Sequence, residues 1–337
     1  MRIGLIGTGA IARLHASVYA TLGFPLRVCT DIAPDKGRGF AAEFGAEFVE
    51  RIEDVCRHPD VDIVDVCTFP DVRLQPVELA AAAGKAVQVQ KPMAIDLATA
   101  RKMIDATSRA GVALGVVSQH RYDDAFSFLA RAIREGRLGK LVQCDAYVKW
   151  FRSAEYYARP IKGSWKVEGG GALINQAIHQ VDLLRWLVGP VKEIFAIWQL
   201  GALHKIESED VVTAVLQYAN GATGVIQAST ALWPGYPERV ELHGTRGTAI
   251  VTGDRLTTWD VQDDAGEAPP LAGAAKSGAS DPMAISLEPF ERQFREFAEA
   301  VRGRTRPPIS GEEGYQALEV VDAIYRSCRE QSAVQLS

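Results

Sequence analysis

Residues Arg2–Ile6 (RIGLI) form a short apolar run, and Gly7-Thr8-Gly9-Ala10-Ile11-Ala12 follows at once. This Gly-x-Gly-x-x-Ala spacing admits few backbone paths. Gly7 permits a tight turn out of a strand, Gly9 removes the side chain that would block a pyrophosphate, and Ala12 lets the next helix lie close to the sheet. An alanine-rich helical pattern then runs to about Gly23, so free amides at a helix N-terminus face the same spot. A second apolar run, Leu26–Thr30, ends at Asp31, 19 residues after Ala12, where an acid that binds a ribose hydroxyl belongs. Strand, glycine turn, helix and acid-terminated strand together point to a dinucleotide. Asp31 favours a free 2′-hydroxyl, hence NAD over NADP. Ile32-Ala33-Pro34 offers no arginine for a 2′-phosphate, and Arg38 lies further on, in the next helix.

The alternation continues. Pro34–Gly45 reads as helix, Val61–Cys67 as a buried parallel strand ending in Thr68-Phe69-Pro70, Val77–Ala83 as helix and Ala86–Val89 as strand. Asp96–Ala110 reads as a helix with Asp96 as N-cap and Gly111 as C-cap, and Val112–Val117 as strand. Strand-like runs alternating with helices in about 120 residues describe a doubly wound parallel sheet, a Rossmann-type α/β domain over residues 1–120. Gln90-Lys91-Pro92 follows the strand Ala86–Val89, and the carboxyl end of a parallel strand is where open α/β sheets hold ligands. The proline is a candidate for a cis bond.

From Gln119 the pattern changes. A helix over Asp123–Gly136 leads into alternating strands at Leu141–Phe151, Val191–Gln199, Val211–Tyr218, Thr223–Ser229, Val240–Gly244 and Gly247–Val251. Asn220-Gly221 signals a hairpin. Residues 121–337 therefore read as a C-terminal α+β domain on a large, mostly antiparallel open sheet. Gln262–Pro282 reads as a mobile loop, and helices near Glu288–Arg302 and Glu312–Arg329 close the chain, able to pack back on the first domain. The 337 residues exceed what one core usually serves. A net charge of −5 argues against a nucleic-acid surface. The five cysteines are scattered without a CxxC pair, which suits reduced thiols. The first strand starts at Arg2 with no leader pattern before it, and no apolar run reaches the ~18 residues of a membrane span, so the expected compartment is the cytoplasm.

The stretch GGGALINQAIHQVDLLRWLVG, Gly169–Gly189, opens with three glycines and continues as a helix with Leu173, Ala177, Leu183, Leu184 and Leu187 as core contacts. Asn175 and His179, four apart, share a face. A helix that carries an amide and an imidazole in an apolar run needs a reason, since unpaired buried polar groups cost roughly 1–3 kcal/mol each. The reason read here is a substrate.

GTGAIA at Gly7–Ala12, QKPMA at Gln90–Ala94, the stretch Gly169–Gly189 and EDVVTAVLQYANGATG at Glu209–Gly224 together resemble the Gfo/Idh/MocA oxidoreductases, nearly end to end. The resemblance implies an NAD(P)-dependent enzyme that oxidises or reduces one carbon of a sugar, cyclitol or related polyol. It also implies a homodimer or homotetramer formed through the C-terminal sheet. Lys91 matches the lysine of the family's Glu-Lys-Pro motif, His179 the helix histidine at the reacting hydroxyl, and Asn175 a position often held by Asp. Gln90 stands where Glu is usual, and Arg73 lies in a loop that commonly carries a histidine.

The expected cofactor contacts are Gly7, Thr8, Gly9, Ala10, Ile11, Ala12, Asp31, Ile32, Thr68, Phe69, Gln90, Lys91 and Pro92. His179 is expected to exchange the hydroxyl proton, which suits an imidazole near neutral pH, and Lys91 to stabilise alkoxide character. Asn175 cannot exchange a proton and is left to hold substrate, with Arg121, Lys149, Tyr157 and Trp165 as further candidates. His120 could border the site. Asp182 is read either as orienting His179 or as paired with Arg185. The remaining histidines show no metal-ligand spacing, so no metal is expected. Two other readings are a non-catalytic cofactor-binding regulator and a dehydrogenase or reductase for a non-sugar such as a trans-dihydrodiol or a linear tetrapyrrole. Lys91 and His179 speak against the first, and the Asn175/His179 pair favours a polyhydroxylated ligand.

Overall fold

The computed structural model describes residues 1–159, 161–270, 277 and 286–336. Of the stretch read as a mobile loop, residues 271–276 and 278–282 lie outside the described residues. The chain divides into two compact units, Met1–Gln119 with Ser286–Gln316, and His120–Ile285 with Ala317–Ser337.

The first unit holds strands β1 (Ile3–Ile6), β2 (Leu26–Thr30), β3 (Glu47–Phe48), β4 (Ile63–Val66), β5 (Ala86–Val89) and β6 (Leu114–Val116). Their order is β3-β2-β1-β4-β5-β6, and every pairing is parallel. β1, β4, β5 and β6 are buried along their whole length, which is why they read as apolar runs rather than alternations. β3 has no such signal; it is two residues, Glu and Phe, at the sheet edge. The helix Leu97–Ala110 starts on Asp96, whose side chain accepts from Thr99 N at 2.7 Å, and ends at Gly111 with φ 65°. Strand order reverses between β1 and β4, so the crevice at their carboxyl ends is the ligand position of this architecture.

The sequence boundary near residue 120 assigns both closing helices to the second domain. In the structure the helix Glu288–Gly303 belongs to the first unit. Its Phe294 packs on His15 and Tyr19 of the helix Ala10–Thr21. Its Gln293 donates to Val116 O and accepts from Ser118 N, satisfying backbone groups at the end of edge strand β6.

The second unit holds β7 (Leu141–Lys149), β8 (Val191–Leu200), β9 (Glu209–Tyr218), β10 (Thr223–Ser229), β11 (Arg239–Gly244), β12 (Gly247–Thr252), β13 (Arg255–Val261) and β14 (Val334–Gln335). The order is β13-β12-β11-β7-β10-β9-β8-β14, antiparallel except for β7 beside β10. β13 and β14 add to the strands read from the sequence. Asn220-Gly221 makes the turn from β9 to β10, with Gly221 at φ 87° and Asn220 Oδ1 accepting from Ala222 N at 2.9 Å. On β7, Cys144, Ala146 and Val148 are buried on the face that takes the helix Ile178–Val188. On β8, Ile194 and Ala196 are buried while Phe195 and Ile197 stand exposed on the other face. Among the described residues, no helix is long and apolar enough to cross a membrane.

Candidate functional site

The first unit gathers the expected nucleotide contacts at the carboxyl ends of β1, β2, β4 and β5. Gly7 has φ 89°, and a Cβ there would lie 3.2 Å from the Cys67 carbonyl, so both the turn and the close approach to β4 require glycine. Gly9 precedes the helix Ala10–Thr21, and no side chain caps that helix. A Cβ on Gly9 would meet nothing within 4 Å, leaving an open cradle beside free helix amides. That cradle fits a pyrophosphate, which the amides would hold as an anion.

Asp31 ends β2. Its burial works against charge, but donors from Ala33 N, Thr8 N and Thr8 Oγ1, with Lys36 nearby, outweigh it and hold the carboxyl below its usual range. An ionised acid at this position is a ribose-hydroxyl acceptor. Ile32, wholly exposed, follows it, and Phe69 is half exposed after β4, so two apolar side chains stand at the crevice rim. A cavity of about 1000 Å³ in this unit is lined by Met1, Arg2, Lys85, Ala113 and Arg304. It lies at the amino ends of β1, β5 and β6, away from these residues.

The Lys91–Pro92 bond is cis. The loop that carries it is held by Arg73, a residue the sequence reading left without a role. The buried Arg73 guanidinium donates to Thr68 O through Nε at 3.0 Å and Nη2 at 2.6 Å, and through Nη1 to Gln90 O and Pro92 O. Burial lowers Arg73 to about 10, yet it remains a cation at neutral pH. One side chain thus ties the loop after β4 to the loop after β5.

Behind that loop lies a second feature absent from the sequence reading. His15, Asp65 and Cys67 are buried, with ligand-type atoms within 4.8 Å of one another. Each takes part in hydrogen bonding within the cluster. Asp65 Oδ2 lies 2.7 Å from His15 Nδ1 and accepts from Tyr19 Oη at 2.8 Å, while Asp65 Oδ1 accepts from Cys67 Sγ at 3.7 Å. Burial and the Asp65 charge push the Cys67 thiol and the Tyr19 phenol well up, so both stay protonated donors. An acid inside an otherwise apolar strand demands such partners and is a signal legible in Val61–Cys67.

The second unit carries the Gly169–Gly189 stretch. Gly169 and Gly170 have φ of 80° and 148°, and a Cβ on Gly171 would lie 1.8 Å from Glu209 O. All three glycines are therefore structural. Glu209, at the start of β9, accepts from Gly171 N and Leu173 N at 2.9 Å each and from Tyr325 Oη at 2.9 Å. Burial pushes Glu209 up to about 7 against those donors. Leu173–Ala177 is a π-turn and Ile178–Val188 an α-helix. A π-turn inserts a residue into the helical repeat and re-aims side chains, and such turns concentrate at functional sites.

Every residue from Glu168 to Leu184 is buried except Asn175 and His179. Asn175 Nδ2 donates to Gly170 O at 3.1 Å, which fixes the amide. The His120 ring stands edge-on to His179, centroids 4.8 Å apart at 83°. His120 Nδ1 lies 2.7 Å from Asp123 Oδ2, so that imidazole is itself oriented. Asp182 receives Arg121 Nε at 2.8 Å and Nη2 at 2.5 Å, a buried bidentate pair that neither reading of Asp182 anticipated. Arg121 also lies over the Trp186 ring.

The other candidate sugar contacts are dispersed. Lys149 Nζ lies over the ring of Tyr147, two residues before it on β7 and so on the same face, opposite to that of Ala146 and Val148. Tyr157 Oη bonds Thr230 Oγ1 at 2.8 Å, with its ring on His204. Trp165 packs with Trp198 and Tyr325 and donates to Glu207 O at 3.0 Å.

Comparison with known proteins bears on both units. The oxidoreductase family with an NAD-binding Rossmann fold (Gfo/Idh/MocA) matches residues 1–118, and the GFO/IDH/MocA C-terminal domain matches residues 126–250. The D-apiose dehydrogenase of Paraburkholderia graminis is 30% identical over 98% of this chain and 88% of its own. The myo-inositol 2-dehydrogenase of Thermotoga maritima is 29% identical over 100% of this chain and 98% of its own. The WlbA dehydrogenase from Bordetella pertussis, solved in complex with NADH and UDP-GlcNAcA, is 31% identical with a TM-score of 0.88, covering 100% of this chain and 98% of that one.

Proposed function

Because the chain belongs to the Gfo/Idh/MocA family of NAD(P)-dependent oxidoreductases, we propose that it acts on a hydroxyl-bearing carbon of a sugar, cyclitol or sugar derivative through Lys91 and His179. The nicotinamide, when bound, accepts or supplies the hydride. His179 takes the hydroxyl proton during oxidation and returns it during reduction, the task for which an imidazole is suited near neutral pH. Lys91 donates a hydrogen bond to the same oxygen and stabilises the negative charge that builds there. Asn175 holds a neighbouring hydroxyl. Arg121, paired with Asp182, is assigned to supporting the helix that carries His179 rather than to contacting sugar. His120, oriented by Asp123, positions the His179 ring.

The observation that carries this reading is that Asn175 and His179 alone are partly exposed in a run of 17 residues, Glu168–Leu184, that is otherwise buried. An amide and an imidazole offered together, with an oriented second imidazole behind, suit a ligand rich in hydroxyls better than a flat apolar one. Relatives named for inositol and apiose, and one solved in complex with UDP-GlcNAcA, support the same class. Asp31, ionised and with no arginine directly after it, supports NAD over NADP. Five buried free thiols suit a reducing compartment, the cytoplasm. The exposed apolar residues of the sheet, Phe195 and Ile197 on β8 and Val215 opposite Phe195 on β9, suit self-association into a homodimer or homotetramer.

The test is NAD reduction over a panel of polyols, aldoses and sugar acids, followed by Lys91→Ala and His179→Ala on the best substrate. Each variant should lose about 10²–10³-fold in kcat while binding NAD within about threefold of the wild type. Near wild-type turnover in either variant would overturn the assignment.

A further inference from the structure

Lys91 sits in a loop whose peptide groups are held from several sides. Arg73 takes the carbonyls before and after it, Gln90 O and Pro92 O. The Lys91 amide itself donates to Gln90 Oε1 at 3.0 Å. That last bond decides more than its own geometry. A backbone N–H is always a donor, so the Gln90 atom it meets is the oxygen and the other end of the amide is the NH₂ group. The NH₂ lies 2.7 Å from His15 Nε2, which is therefore an acceptor carrying a lone pair. With Nε2 unprotonated, the ring proton of His15 is on Nδ1, and Nδ1 points at Asp65 Oδ2, 2.7 Å away. The direction of every bond in the series follows from one amide.

We propose that Asp65, His15 and Gln90 form a positioning relay with a single proton order, ending on the Lys91 peptide, and that glutamine at 90 keeps His15 at one proton. This rests on the reading that Lys91 meets the reacting oxygen. The surroundings admit only this order. Around His15 the helix Ala10–Thr21 supplies Tyr19, the end of β4 supplies Asp65 and Cys67, β5 and its loop supply Gln88 and Gln90, and Arg73 brings a cation. The helix Glu288–Gly303 faces His15 with the rings of Phe290 and Phe294. Tyr19 and Cys67 donate to Asp65, so that carboxylate is purely an acceptor and takes the Nδ1 proton as a third hydrogen bond.

A glutamate at position 90 would work differently. It would present only acceptor oxygens to Nε2, and His15 would have to carry two protons between two carboxylates. Raising the pH would remove the second proton and set a carboxylate against a lone pair. With glutamine the relay needs no second proton on His15. Gln90 therefore holds the Lys91 peptide with His15 at one proton, where a glutamate would require two.

Three measurements on the full-length protein test this. In ¹⁵N-labelled wild type without cofactor, His15 should show the neutral Nδ1–H tautomer at neutral pH. An Nε2–H tautomer, or a doubly protonated ring at that pH, overturns the proposal. Gln90→Glu should add to the kcat profile for hydroxyl oxidation an alkaline limb that the wild type lacks, falling roughly tenfold. An unchanged profile overturns it. His15→Asn can still donate to Asp65 but cannot reach Gln90. It should lower kcat roughly tenfold while NAD affinity stays within about threefold and Tm within a few degrees. A purely structural His15 would instead move Tm and NAD affinity together with kcat, or leave all three unchanged. Should His15→Asn fail to fold, the tautomer and the Gln90→Glu profile decide. Lys91→Ala separates the two readings. If it retains turnover, the role of Lys91 falls while the tautomer result stands; if it is inactive and the other variants behave as wild type, the relay falls.

Discussion

Gly9 and Gly171 both precede helices, and they differ in what a methyl group would meet. At Gly9 there is open space to 4 Å and φ is −73°, which alanine adopts freely. At Gly171 a Cβ would sit 1.8 Å from the Glu209 carbonyl. Gly9→Ala should therefore leave Tm within about 2 °C of wild type and weaken NAD binding at least ~10-fold, because the methyl fills the space a pyrophosphate needs. Gly171→Ala should destabilise the protein by roughly 2–4 kcal/mol, since backbone must move. Thermal unfolding paired with NAD titration reads both. The glycine pattern in each motif is plain from sequence, but the sequence gives no means of telling a glycine kept for a ligand from one kept for a neighbouring strand. That distinction lies in the tertiary contacts of each Cα.

At the scale of elements, the helix start that carries Asn175 depends on β9. Glu209 replaces a side-chain cap by accepting two amides from the glycine turn and the first helical residues. Its folded value, about 7, lies above the 4.5 of an ordinary glutamate. Between those values the folded state binds more proton than the unfolded one, so this group's contribution is complete below about 4.5 and is lost as pH rises through about 7. Glu209→Gln removes the titration. The Tm advantage of wild type over the variant should shrink by several degrees between about pH 5 and about pH 8, as followed by calorimetry. An advantage that grows with pH would show the sign to be wrong. The same element shows a limit of periodicity. Leu173, Ala177, Leu183, Leu184 and Leu187 are all buried as an α-helical reading expects, yet Leu173–Ala177 is a π-turn. A one-residue change in repeat over a single turn leaves the apolar spacing almost intact, so the sequence does not announce it.

At the scale of the molecule, the eight-stranded sheet buries one face and exposes another. Phe195 and Val215 are directly paired across β8 and β9, and with Ile197 they are 46%, 53% and 63% exposed. Charged residues at Ile197 and Val215 should leave the fold intact, since neither side chain is in the core. They should also reduce the mass measured by light scattering toward that of one chain, with wild type at two or four. A wild-type mass of one chain would remove the oligomer from the reading.

The sequence by itself determined the local devices: the strand–glycine–helix cradle, Asp31 as an acid ending β2, the Asp96 cap, the Asn220-Gly221 turn and the near-complete register of apolar runs. Each is written in neighbouring residues, because turn chemistry, capping and side-chain period act over a few positions. Tertiary structure alone decided which distant groups meet. Arg73 reaching the carbonyls of Gln90 and Pro92, His15 beside Asp65 and Gln90, Asp182 with Arg121, and Glu209 under the glycine turn join positions from 17 to 75 residues apart. Such pairs follow from strand order and helix placement. No pattern of spacing encodes them, although an acid in a buried strand or an imidazole on a buried helix face signals that a partner must exist.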